Sequence, residues 1–293
     1  MTRFATFWSG TLSPYETSCL ASFIKKGCEV VLYSYEEIKG IPSGVQRADA
    51  REIVDRSYLE RFITNKAANV AAFSDYFRYL MFLKTDLCWT DTDIFMLQSF
   101  EINPNDDFLV VEDGHNICNA ILRINGASSE LKDIIIRTES LLDRDAPWAA
   151  SQNFIAKTFR GKWNQIAESL KKPDDFMPIH YDEYYKLILP EFADECAAKC
   201  AGAKTIHLYN NILDKIGVCK SLLPPEGSYL NHLFTSEGYA SNFCGVYPAR
   251  VMRTLVEGWR MRNSGECLGA KAILKQAIPS INRTLRNHIW KYL

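Results

Sequence analysis

From Ala67 to Leu83 the chain is apolar on every side of a helix, and a helix of that kind belongs in an interior. The same stretch nevertheless carries Ser74, Asp75 and Arg78, and Asp91 and Asp93 follow between two apolar runs. Aspartate and arginine are rarely buried fully unless paired. Asp75 and Arg78 stand three apart and can meet on one helix face. An exposed pair at that spacing contributes only about 0.2–0.5 kcal/mol, and a buried one often fails to offset its desolvation. Two readings stay open: a structural ion pair, or a helix that lines a cleft and turns both groups towards a polar ligand.

The surrounding pattern is that of an α/β domain. Phe4–Trp8 is a short apolar run of strand type. In "SPYETSCLASFIKKG", Ser13 and Glu16 make a capping box, Pro14 takes the first helical position and Gly27 ends the helix. "CEVVLYSY" is the next strand, bounded by Gly27 and the "KGIPSG" turn. Strand, helix, strand in that order predicts a right-handed parallel unit. A helix over Ala67–Lys84 and a strand at Leu87–Thr90 follow. Further strands are expected at Asp107–Glu112 and Ile117–Ile124, and helices at Ser129–Leu142 and Ser151–Phe159. "KTIHLYNNILDKIG" reads as a strand end running into a helix, and "LLPPEGSYLNHLF" as a surface connection. With no internal repeat and no low-complexity linker, a single mixed domain is favoured.

Composition removes several classes. With 34 basic against 35 acidic residues, the charge balance argues against a generic nucleic-acid binder held by a basic surface. No run approaches the length of a transmembrane helix, and the first residues lack a signal-peptide pattern. Nine cysteines without dense clustering are expected to be reduced thiols of a cytosolic protein. Cys196 and Cys200 have no second pair in zinc-ligand spacing and are read as packing residues.

Asp91 and Asp93 bracket Thr92 directly after a candidate strand. Residues two apart on a strand point to one side, and two converging carboxylates raise a pKa unless a cation lies between them. A hard divalent ion with oxygen ligands, Mn2+ or Mg2+, is the natural neutraliser. Taken alone, Asp-x-Asp is better explained by a solvated turn.

In context the block resembles the DXD-containing glycosyltransferases, of the capsular-polysaccharide, mannosyl- and galactosyl-transfer type, and is similar there to the glucosylating toxins. That pattern stands here as Ala71, Ser74, Asp75, Arg78, Phe82 or Leu83, Trp89, Asp91 and Asp93, with Asp75 and Asp91 sixteen residues apart. The likeness is specific over Ala67–Phe100 and weaker elsewhere. Asp86-Leu87 stands where that family usually has Gly-Gly, and aspartate tolerates the left-handed turn better than most residues.

The resemblance implies a single-domain glycosyltransferase-A fold over residues 1–265, a Rossmann-like mixed sheet flanked by helices, with a basic amphipathic helical segment over 266–293. It implies donor binding by Trp8, Ser74, Asp75, Arg78, Asp91, Thr92 and Asn119, and a Mn2+ or Mg2+ ion held by Asp91, Asp93 and His207. Trp8 in "FWSG" would lie by the base, where stacking contributes about 1–3 kcal/mol. Asn119 in "ICNAILR" would contact substrate, since a buried amide there is otherwise costly. A structural role remains open for Trp8 and for His207. The implied reaction moves a hexosyl or N-acetylhexosaminyl group from a nucleotide-sugar donor, UDP-linked by expectation, to a glycan or lipid-linked glycan acceptor, with retention. Bacterial surface-polysaccharide synthesis is the implied setting, in the cytoplasm or at the inner membrane face, where the basic tail could dock. The competing reading is a non-catalytic nucleotide-sugar or carbohydrate-binding protein. An aspartyl-nucleophile phosphatase is excluded, because its motif normally lies on the first strand with Gly-Thr following.

Overall fold

The computed structural model describes residues 2–264 apart from 113, 115 and 149, so the tail expected from residue 266 onward lies outside the described residues. β1 (Arg3–Phe7), α1 (Pro14–Lys25) and β2 (Glu29–Ser34) open the chain, with β1 and β2 parallel and Phe7 opposite Tyr33. Ser13 and Glu16 form the expected capping box, and Gly27 closes the helix at φ +82°. β3 (Val45–Asp49) pairs with β2, and β4 (Phe62–Thr64) and β5 (Ala67–Ala68) form a hairpin before α2 (Val70–Lys84). β6 (Cys88–Thr90) and β7 (Ile94–Met96) follow, then β8 (Phe108–Val111), β9 (Ile117–Arg123) and α3 (Ser129–Glu139). β10 (Arg144–Asp145), α4 (Gln152–Phe159) and β11 (Leu170–Lys171) complete the first part. The second is mostly helical: α5 (Pro173–Phe176), α6 (Tyr185–Ile188), α7 (Ala193–Cys200), β12 (Thr205–His207), α8 (Asn210–Ile216), α9 (Tyr229–Ser236) and α10 (Ala249–Asn263).

Seven strands make one mixed sheet in the order β11-β8-β9-β6-β1-β2-β3, with β9 the one strand running against the others. The protein is therefore α/β, a mixed sheet flanked by helices, as the sequence pattern predicts. Successive strand residues face opposite sides. Ala5, Phe7, Val31 and Tyr33 pack with Phe73 and Phe77 of α2, while Phe4, Val30 and Leu32 pack with Leu20 and Phe23 of α1. The two helices thus cover opposite faces. From β1 the chain builds outward through β2 and β3, then returns through α2 to place β6 on the other side of β1. Strand order reverses there. The crevice beyond the carboxyl ends of β1 and β6 is where sheets of this kind take ligands.

Two local expectations are corrected. Ala67 and Ala68 belong to the hairpin, because Asn65 and Lys66 both take positive φ (53° and 63°) and Asn69 caps α2 by accepting from the Ala71 and Ala72 N–H groups. The "LLPPEG" segment is buried at Leu223, Pro224 and Pro225. Proline has no N–H to satisfy, which lowers the cost of burying it, and Asn231 Nδ2 donates to the Pro224 carbonyl at 2.7 Å.

Candidate active site

α2 runs so that its polar residues face the carboxyl end of β6 and the amino-terminal part of the antiparallel β9. Asp75 and Arg78 do meet, Arg78 Nη2 lying 3.2 Å from Asp75 Oδ1. Asp75 accepts further from Asn119 Nδ2 at 3.1 Å and from Ser151 Oγ. Burial nonetheless raises its carboxyl above the ordinary carboxylate value, with Arg78 pulling the other way. Arg78, only 4% exposed, donates to the Asn119 carbonyl, and to Asp91 Oδ1 at 3.3 Å, and lies 4.5 Å over the Trp89 ring. Ser74 adds its hydroxyl at 3.5 Å and its carbonyl at 3.3 Å. One guanidinium therefore joins both acidic groups, and the ring beneath it excludes water.

Asp91 follows the last residue of β6, and its N–H donates to the Ala120 carbonyl at 2.7 Å. Trp89 Nε1 donates to Asp91 Oδ1 at 2.6 Å, so both recorded partners fall on that oxygen. Burial raises this carboxyl, Arg78 lowers it and Asp93 raises it again. Its side chain is 32% exposed, the most open of the site carboxylates. Thr92 is buried between the two aspartates.

Asp93 is held from the β12–α8 corner. His207, opposite Ile94 in the β7–β12 pair, places Nε2 at 3.2 Å from Asp93 Oδ2. The Leu208 N–H donates to the Asp93 carbonyl and the Asn210 N–H to Oδ2, both at 2.9 Å. Between them Tyr209 takes the left-handed conformation (φ 55°, ψ 47°), which turns the chain back on Asp93. Burial works against ionisation of Asp93, yet His207 and these hydrogen bonds outweigh it and leave the carboxyl below its usual range. Burial likewise opposes the charged imidazole, and Asp93 overrides it, so His207 titrates well above the ordinary histidine value.

Of the three residues expected to hold a metal, Asp93 and His207 are in direct contact, with His207 serving as counter-cation to Asp93. Ligation would require that imidazole to be neutral. No group of three or more His, Cys, Asp or Glu side chains forms a ready metal cluster among the described residues. The carboxylates still fit a hard cation that takes its remaining ligands from phosphate oxygens and water. Among the described residues Asp91 is bonded at Oδ1 and not at Oδ2, and Asp93 is gripped at Oδ2 and at its backbone. In ordinary charge states three aspartates against Arg78 and His207 leave the site net negative, so a divalent ion is what would turn it towards a diphosphate.

Asn119, whose amide donates to Asp75, is 6% exposed, with its Oδ1 buried and unpartnered. Trp8 continues β1 through its N–H to the Tyr33 carbonyl at 3.0 Å, is half-buried, and buries Nε1 without a partner. Ser151 was missed: between Ala150 and Gln152 it reads as a helix start, and only the fold brings it to Asp75. Glu16 and Asn210 were missed too, and are taken up below. All the described cysteines are free, and Cys196 and Cys200 pack in the core. A surface groove of about 730 Å³ lies at the opposite end of the strands, where Arg3, Leu87 and Arg123 line it. The buried charged groups converge at the other end, at the strand-order reversal.

No protein-family model and no curated protein matches the chain. Among solved structures, the PaToxG glycosyltransferase is similar over 57% of this chain and 73% of its own, at 13% identity and a TM-score of 0.36. At that similarity the likeness carries no residue or activity across.

Proposed function

We propose that the protein is a metal-dependent glycosyltransferase that moves a sugar from a nucleotide-sugar donor to a glycan or lipid-linked glycan acceptor. One observation carries the reading: Asp75, Arg78, Asp91 and Asp93, scattered over a helix and a strand end, converge beyond the carboxyl ends of β1 and β6. A purely structural pair needs no second carboxylate and no reversal point. Asp91 and Asp93 would hold Mn2+ or Mg2+, which when bound stabilises charge on a leaving diphosphate. Asp75, Asn119 and Arg78 supply acceptors and donors in the arrangement that sugar hydroxyls require. Asn119 Oδ1 in particular is an unused buried acceptor. Trp8 at the end of β1 has the placement for a base. His207 keeps Asp93 ionised and oriented. A UDP-linked hexose or N-acetylhexosamine, retention of configuration and surface-polysaccharide synthesis complete the proposal and rest on the sequence resemblance.

The test is a thermal-shift series of nucleotide sugars with and without Mn2+, followed by transfer to candidate glycans. Ligands that bind only the folded state raise its midpoint. Metal-dependent stabilisation by one donor class is the expected result. Binding without transfer or donor hydrolysis would instead leave a non-catalytic sugar-nucleotide receptor.

A further inference from the structure

We propose that Glu16 is a positioning residue for Asp93, acting through Asn210; the proposal rests on reading Asp93 as a cation-facing carboxylate. Glu16 has an ordinary part as the capping residue of α1, its Oε2 accepting from the Ser13 N–H at 2.8 Å and from Ser13 Oγ. A capping box asks for nothing more. Yet Glu16 is 1% exposed, and its Oε1 accepts from Lys220 Nζ and from Asn210 Nδ2, each at 2.7 Å. Four donors therefore converge on one buried carboxylate, and two of them come from the far end of the chain.

Asn210 is the link. Its side chain is tied to Glu16 while its backbone N–H donates to Asp93 Oδ2 at 2.9 Å. Because Glu16 Oε1 is an acceptor, the amide must present its NH2 group there, which fixes its orientation and leaves Oδ1 buried without a partner. The preceding residue, Tyr209, sits in a left-handed conformation that a tyrosine adopts only where its surroundings impose it. Its hydroxyl donates to the Ile179 carbonyl at 2.7 Å and its ring lies 4.2 Å from that of His207. Tyr209 is pinned from one side and Asn210 from the other. Releasing either end lets the turn relax and withdraws the N–H from Asp93. Partners behind a metal-binding carboxylate orient it, and their loss typically costs about 10–100-fold in metal affinity.

The test uses the full chain and three variants. Asn210→Ala keeps the backbone N–H and removes the tie. Glu16→Ala removes the tie and the cap together. Ser13→Ala removes the capping hydroxyl and leaves the residue-13 N–H, Asn210 and Lys220 on Glu16. Mn2+ alone is titrated, amide hydrogen exchange is followed at residue 210, and the thermal midpoint is recorded. The expected result is an Mn2+ Kd raised by about 10–100-fold, with faster exchange at residue 210, in Asn210→Ala and Glu16→Ala. Ser13→Ala should lower the midpoint and move neither quantity. Should Glu16→Ala fail to fold, Asn210→Ala decides the matter. Wild-type Mn2+ affinity and exchange in Asn210→Ala would overturn the proposal. A wild-type protein that binds no Mn2+ would overturn the proposed function, and exchange at residue 210 would then decide the positioning role by itself.

Discussion

At the scale of single residues, charge position decides more than charge count. Arg78 is buried with Asp75 at 3.2 Å and Asp91 at 3.3 Å, so one cation serves two carboxylates at once. Arg78→Ala leaves both without their cation, and breaking a buried pair costs about 3–5 kcal/mol. We expect a loss of that order in chemical denaturation together with loss of transfer. A double-mutant cycle of Arg78→Ala with Asp75→Asn should show coupling of about 0.5–3 kcal/mol; strict additivity would separate the two groups. Asp93→Asn changes one atom and opens no cavity. It should abolish metal-dependent transfer while circular dichroism stays that of the wild type, and full Mn2+-dependent turnover in that variant would remove the metal role from Asp93.

At the scale of elements, what could be read in advance was local chemistry. The capping box at Ser13 and Glu16, Gly27, the β-branched strands and the position of α2 all follow from short spacings, and the structure has them. Asp75, Arg78 and Asp91 stood out because charges in a buried helix and at a strand end need partners, whereas Asn119 stood out only through the family resemblance. Ser151, Glu16 and Asn210 were not legible, since each has an adequate local explanation as a helix start, a cap or a turn residue. Their other role depends on which distant segment the sheet brings alongside. Asn69 was hidden for a different reason, sitting inside an apolar run that looked helical throughout. Its side chain caps α2 and also donates to Thr64 Oγ1 at 2.9 Å. Asn69→Ala should cost about 0.5–2 kcal/mol, read as a lower denaturant midpoint with an unchanged m-value; an unchanged midpoint would mean that α2 holds its start by packing alone.

At the scale of the whole molecule, the Asp93–His207 pair ties two halves of the chain together and sets a pH window. His207 titrates higher in the folded protein than in the unfolded chain, so its stabilisation is complete below the unfolded value near 6.5 and fades as pH rises through the folded value. Asp93 titrates lower when folded, so its share is present above the unfolded value near 3.8 and fades as pH falls through the folded one. The pair is strongest between those limits. The gap in thermal midpoint between wild type and His207→Gln should therefore be largest near pH 6 and narrow in alkaline buffer. A gap that stays constant to high pH would show that His207 stabilises by packing and not by charge. No described helix is long and apolar enough to cross a bilayer.

The bond from Glu16 to Asn210 also has a consequence in time. The two residues are 194 positions apart. At about 5–20 residues per second of synthesis, the first helix exists for roughly 10–40 s before the residue that engages its carboxylate is made. During that interval Glu16 has Ser13 but neither Asn210 nor Lys220, and β1, β2 and α1 must stand as a nascent unit with an acidic group still in water. The centre that holds Asp93 cannot be completed before residue 210 has been made. A ribosome-stalled chain that ends before residue 205 should carry a protease-resistant amino-terminal unit and bind no Mn2+, and both properties should change together once β12 and α8 emerge.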